Sequence, residues 1–278
     1  MIARRVYGNL SGFRQNFYGS IHAHYHRLTG RTRNTGLLDT EMRGLAADLR
    51  RDGLIKVSDW LDPQTVERVR AHVLKAAEAH GNRRSDYITV LEAQALAENA
   101  PEVFDLFEPR IRAFIEAYFG SAFMVNSAAF RLTRHVPDEV RSKGEVYSDH
   151  WHTDSGPTSL LAMFVLLSDL TSEGGPTSAL DIGATKSVVR RGYASRQKRG
   201  PLLDEIEAHP SRVEMTGPAG TIMFVNVARC LHRAGIPKQG LSREWLQFRL
   251  FPTKGVTDTT RLQPARILEY TNRIPQKG

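Results

Sequence analysis

The sequence predicts an α+β fold, a β-sandwich core with helices from the N-terminal half packed on it. Three observations carry that reading. Residues 39–120 place apolar side chains at three- and four-residue spacing. Residues 122–252 break into short apolar runs separated by glycine and proline. The composition, 41% apolar and 24% charged over 278 residues, is that of an ordinary globular chain. A chain of this length buries roughly three quarters of its unfolded surface and needs no covalent staples. The single cysteine, Cys230, excludes an internal disulfide framework and suits a reducing compartment. The longest apolar run, Leu160 to Leu167, falls far short of the ~20 residues that cross a bilayer. The start also lacks the apolar stretch and cleavage site of a secretory signal. A cytoplasmic protein without a membrane span is expected, with organelle import by the basic start as the alternative.

In chain order, residues 1–38 form a basic arm. Arg4, Arg5, Arg14, Arg27, Arg31 and Arg33 all precede the first acidic residue, Asp39, and account for most of the net charge of +8. A basic surface helix packed on the core is expected; contact with nucleic acid, anionic lipid or a carrier protein is the other use of such an arm. One domain follows, residues 39–278. Its helical part, 39–120, starts with a helix over 39–52 that puts Met42, Leu45, Ala46 and Leu49 on one face and stops at Gly53. A short strand, Leu54 to Val57, comes next. Asp62-Pro63 then opens a helix with Val66, Val69, Val73, Leu74 and Ala77 inward, ending near Gly81. A third helix is expected from Glu102 to Tyr118, with Val103, Leu106, Phe107, Ile111, Phe114 and Ile115 as its stripe, closed by Gly120.

Strands are expected at 122–134, 146–154, 160–168, 177–183, 211–216, 220–227, 230–235 and 244–251, followed by a tail over 253–278. Eight short strands fit a two-sheet jelly roll, the double-stranded β-helix architecture that also includes cupins. Residues 188–200 are basic and polar and read as an insertion between strands.

The sharpest local feature is DHWHTD, residues 149–154. In an extended chain, positions two apart share a side, so His152 and Asp154 face one way with His150 beside them. That pair alone is a weak signal. His232, 78 residues beyond Asp154 and just past an apolar strand, supplies a third ligand. Two histidines and one carboxylate make the facial triad of non-haem Fe(II) oxygenases, which leaves coordination positions open. 2-Oxoglutarate takes two such positions and O2 the third; zinc hydrolases use similar ligands, so the triad alone leaves the metal open. Arg243, eleven residues past His232, heads the strand REWLQFRLF. A dicarboxylate held at one end by iron needs a buried cation at the other, and arginine stays charged when desolvated. Arg249, six further on, is a second candidate for that role.

With these residues placed, the chain resembles the phytanoyl-CoA dioxygenase family. The resemblance rests on DGLIKVSDWLDPQTVERVR (52–70), WHTD (151–154), EGGPTSALDIGATKS (173–187) and the spacing from His232 to Arg243, and covers about residues 40–252. It implies a jelly-roll Fe(II) oxygenase with 2-oxoglutarate as cosubstrate. Iron would be bound by His152, Asp154 and His232, and the far carboxylate by Arg243. Two positions depart from the family. IGATKS (182–187) stands where the family has a Pro-Gly-Ser-His-like turn. Ala234 stands where a serine contacts the cosubstrate, a contact Ser242 could replace.

The resemblance implies oxidation of a C–H bond of a small metabolite, with succinate and CO2 released and ascorbate as reductant in vitro. Hydroxylation, desaturation, epoxidation and ring closure share this beginning. Asp154 argues against halogenation, because related halogenases open that coordination position to chloride. For the substrate, Asn126, Arg131, Tyr147 and Trp151 are candidate contacts, the last two with core packing as the competing role. Arg190, Arg191 and Arg196 could draw an anionic or thioester-carried substrate to the mouth. A cupin-like isomerase or hydrolase would need no dicarboxylate clamp. A nucleic-acid oxidative demethylase would want aromatic residues interleaved with basic ones, and the arm shows no such pattern. A monomer or homodimer is expected.

Overall fold

The computed structural model describes residues 2–30, 39–197 and 200–268, with side chains from residue 16 onward. Residues 31–38, 198–199 and 269–278, which belong to the arm, the basic insertion and the tail, lie outside the described residues.

The first helix, α1, spans Ile2–Thr29. Helix α2 (Thr40–Asp52) starts at an Asp39 cap that accepts the Met42 N–H at 2.7 Å, and stops at Gly53 in the left-handed region, φ +79°. A Cβ at Gly53 would lie 2.7 Å from both Cys230 Sγ and the Ile182 side chain, so glycine is demanded there by conformation and by space. Strand β1 (Leu54–Val57) leads to α3 (Pro63–His80), capped by Asp62 on the Thr65 N–H at 2.9 Å. A hairpin follows, β2 (Asn82–Ser85) and β3 (Ile88–Glu92), which its polar residues conceal in the sequence. Then come α4 (Ala93–Asn99), a 3-10 turn (Pro101–Leu106) and α5 (Pro109–Phe119). The single helix expected over 102–118 is thus two elements. Proline at 109 pushes Glu108 out of the helical region, to ψ 159°, and breaks it.

Strand β4 (Ala122–Arg134) precedes a short α6 (Asp138–Arg141). After it, 146–154 is irregular where a strand was expected. Asp149 accepts the N–H groups of Val146 and Tyr147, and Ser148 takes φ +61°, so side-chain bonding outcompetes a ladder. The remaining elements are β5 (Leu161–Leu166), β6 (Ser178–Ala179), α7 (Ile182–Arg190), α8 (Pro201–Glu207), β7 (Val213–Glu214), β8 (Ile222–Val225), β9 (His232–Arg233) and β10 (Ser242–Thr253). The strand expected at 177–183 lasts two residues, because Asp181 caps α7 by accepting the Ala184 N–H at 2.6 Å. The insertion 188–200 begins as the last turn of α7 and leads into α8.

Seven strands form one antiparallel sheet in the order β1-β8-β5-β10-β4-β3-β2, and β7-β6-β9 form a second, small sheet. The result is a jelly roll. Period two along β10 divides its side chains: Leu246, Phe248 and Leu250 pack against helices α2–α5, with Phe107, Phe114 and Phe123 among their partners. Trp245 points the other way, into a second apolar cluster with Phe164, Met223 and Val225. The space between the two sheets, on that second side, is where the chemistry-bearing residues meet.

Candidate metal centre

His232 sits on β9, and His152 bonds to it backbone to backbone: His152 N–H to His232 O at 2.9 Å and the reverse at 2.8 Å. Two residues on, the Asp154 N–H donates to Val227 O at 2.8 Å. The segment is therefore extended locally although it is not a strand, and His152 and Asp154 share a side. The ligand atoms of His152, Asp154 and His232 all lie within 4.8 Å of one another. Asp154 Oδ1 is 3.5 Å from His152 Nε2 and 3.7 Å from His232 Nε2. Each imidazole points Nδ1 at a carbonyl two residues earlier, His150 O at 2.7 Å and Cys230 O at 3.0 Å. A carbonyl can only accept, so Nδ1 carries the proton and Nε2 keeps its lone pair for a metal.

The electrostatics agree with that role. Burial lowers His232 to about 4, so the ring is neutral at pH 7. Burial alone would raise the Asp154 carboxyl. The neighbouring His152, His232 and Arg249 side chains nevertheless hold it well below the usual carboxylate range. Arg249 Nη2 donates to Asp154 Oδ2 at 2.8 Å, which leaves Oδ1 facing the two imidazoles.

Arg243 is 1% exposed. Its Nη1 donates to Gly175 O and to Thr177 Oγ1, while Nε and Nη2 are buried with no partner. Its guanidinium stacks 5.3 Å from the Trp245 ring. Burial lowers its pKa to about 10, which still leaves a full charge at pH 7. A buried cation with two idle donors is expensive unless an anion meets it. Thr177 and Trp245, which touch Arg243, line the same cavity as the three metal-type ligands, together with Tyr147, Gln247, Arg249 and Arg131.

The other expected contacts divide. Arg131 and Tyr147 line the cavity, the phenol donating to Arg134 O at 3.1 Å. Arg249 shares the inward face with Arg243, as period two requires, and lines the cavity, where its guanidinium pairs with Asp154. Ser242 is exposed, turned outward by the pleat next to Arg243, and does not line the cavity. Asn126 falls at the register shift in β4 and donates to Gln263 O at 3.2 Å, away from the cavity. Trp151 is core: it packs with Leu180, Val188 and Leu231, its indole N–H donating to Glu207 at 2.8 Å. Arg190 is exposed, Arg191 pairs with Glu205, and Arg196 pairs with Glu145, outside the cavity. Gln247, Phe164, Thr177 and Ser148 line it without having been foreseen. Gln247 and its cross-strand partner Phe164 were recoverable from strand parity, and Thr177 was not.

Solved structures share this jelly roll, some of them with iron or 2-oxoglutarate bound. The epimerase SnoN, in complex with Fe3+, α-ketoglutarate and nogalamycin RO, is 18% identical over 86% of this chain and 91% of that one, with a TM-score of 0.56. EctD from S. alaskensis with 2-oxoglutarate and 5-hydroxyectoine is 15% identical over 86% and 92%, TM-score 0.57. HygX from Streptomyces hygroscopicus with nickel and 2-oxoglutarate bound is 13% identical over 79% and 89%, TM-score 0.54. At such identities the likeness is one of fold. No protein-family profile matches the sequence, and no curated protein sequence matches it.

Proposed function

We propose that this chain is an Fe(II)- and 2-oxoglutarate-dependent oxygenase acting on a C–H bond of a small anionic metabolite. The observation that carries this reading is Arg243: a fully buried guanidinium with two unpartnered donors, whose neighbours Thr177 and Trp245 share a cavity with a His–Asp–His cluster. A metal hydrolase or isomerase would have no use for that charge. The donor set of two imidazoles and one carboxylate fits iron.

His152, Asp154 and His232 hold the iron, and Arg243 receives the far carboxylate of 2-oxoglutarate as a charge-assisted pair. Bound there, the two supply the activation of O2 by which the substrate is oxidised and 2-oxoglutarate becomes succinate and CO2. The protein's own contribution is placement. Arg249 keeps the outer oxygen of Asp154, so Oδ1 is the oxygen that would be offered to the metal alongside the two imidazoles. Phe164, Gln247 and Tyr147 wall the space in which a substrate C–H would sit. Arg131, with a buried, unpartnered Nε and Glu92 no nearer than 3.8 Å, favours an anionic substrate. The carboxylate at 154 disfavours halogenation. Fold neighbours include an epimerase and a carbocyclase as well as EctD, so one fold serves more than one outcome of such an oxidation.

Succinate release from 2-oxoglutarate, with Fe(II) and ascorbate, tests the reading. Wild type should turn over 2-oxoglutarate across a panel of carboxylated metabolites, while His152→Ala loses iron and all succinate formation. A wild-type protein that retains no iron and forms no succinate would end the proposal.

A further inference from the structure

We propose that α1 and the groove beside α7 form a docking surface for an anionic lipid bilayer. Among the described residues, eight large apolar side chains are exposed, and five of them lie on α1: Phe17, Tyr18, Ile21, Tyr25 and Leu28. Leu28 is 71% exposed, Phe17 51% and Ile21 50%. They occupy one side of the helix. The other side is packed on the body: a Cβ at Gly19 would meet Thr158 N at 2.3 Å, His22 Nδ1 contacts Ser159 Oγ at 3.2 Å, and His26 is buried. The sequence upstream continues the spacing, Val6, Leu10, Phe13, Phe17, Ile21, Tyr25 and Leu28 recurring every three or four residues. The helix is thus held to the protein by one face and offers the opposite one outward.

Charge decides what that face meets. The 28 residues of α1 contain Arg4, Arg5, Arg14 and Arg27 and no acidic residue. A groove runs between α1 and α7, and its lining includes Arg27, Lys186 and Arg229 with no aspartate or glutamate. Val189, a sixth exposed apolar side chain, stands on its far wall. Lys254 adds a cation 4.1 Å above the Tyr25 ring. A second copy of the same helix, with four arginines and no acidic residue, offers no opposite charge. An anionic bilayer instead takes both halves of the surface, its headgroups at the cationic groove and its acyl boundary under the aromatic and aliphatic stripe. Each element alone is too weak for stable attachment, and the two together are the combination that interfacial helices use. The docked helix rests on Thr158 and Ser159, in the segment that joins Asp154 to β5.

The test is sedimentation of the full chain with vesicles of phosphatidylcholine alone and of phosphatidylcholine with phosphatidylglycerol. Wild type should bind the phosphatidylglycerol vesicles, weakly or not at all the neutral ones, and should be released as salt rises. Ile21→Ser with Leu28→Ser, and separately Lys186→Gln with Arg229→Gln, should each cut binding about tenfold or more with an unchanged thermal melt, since these positions carry apolar area or charge to the surface. Equal binding to neutral vesicles, or binding untouched by both variants, overturns the proposal. So does a wild-type dimer in solution that the Ile21→Ser, Leu28→Ser variant dissociates, or salt-sensitive binding to RNA or DNA in place of vesicles. None of these results depends on the oxygenase reading.

Discussion

Arg243 has to be charged and buried at once, and that combination costs stability until an anion arrives. Replacing a buried ion by an apolar side chain of similar volume is often neutral or stabilising. Arg243→Met is therefore expected to melt at the wild-type temperature or above it in the absence of 2-oxoglutarate. The same variant should lose the upward shift that 2-oxoglutarate with a divalent metal gives wild type. A thermal melt with and without the cosubstrate checks both halves. The histidine ligand makes a second prediction. His232 is lowered by burial to about 4 from an ordinary value near 6.5, so between these pH values the unfolded chain binds the extra proton. Its contribution is fully present above about 6.5 and is lost as pH falls towards 4, on the order of 3 kcal/mol for a shift of this size. His22, also lowered to about 4, by burial and then by His26, acts in the same direction. Denaturant melts of metal-free protein across pH 4–7.5 should show the decline, and a flat profile would count against buried neutral imidazoles.

At the level of elements, the connection from α2 into β1 carries more than its length suggests. Gly53 ends α2 in the left-handed region, passes its carbonyl to the Asn226 N–H at 2.7 Å, and leaves no room beside Cys230, whose own carbonyl orients His232. Gly53→Ala should cost at least about 1–2 kcal/mol from the backbone alone, with a further loss from the contact with Cys230. Chemical denaturation measures the first, and a fall in metal affinity would report the second. Elements were legible where a period ran long enough to be read. Helix α3 announced its cap at Asp62, and α2 its stop at Gly53. The failures share a cause. At 146–154 and 177–183 aspartates bond to the backbone and divert the chain, and at 102–118 a proline does so, so local chemistry overrode an apolar pattern. The β2–β3 hairpin, with exposed arginines on its outer strand, had no alternation to show.

For the whole molecule, the jelly roll explains why residues 78 and more positions apart converge. The large sheet supplies Arg131, Phe164, Gln247 and Arg249 from three neighbouring strands, and the small sheet, extended by the His152–His232 bridge, supplies the ligands from the opposite side. The three ligands could be named from residue type and spacing, because a His-x-Asp pair needs only an extended backbone. Arg249 could not be assigned in that way: its partner Asp154 lies on a segment outside both sheets, and only the packed fold brings them to 2.8 Å. The central claim, that this sandwich holds iron chelated by 2-oxoglutarate, is tested most directly by anaerobic titration of 2-oxoglutarate into Fe(II)-loaded protein, followed by the visible charge-transfer band of an iron–keto-acid chelate. A saturable band that needs Fe(II), disappears in His152→Ala and requires far more 2-oxoglutarate in Arg243→Met is the result expected. Bound iron with no band, or a band whose titration is the same in Arg243→Met as in wild type, would contradict it.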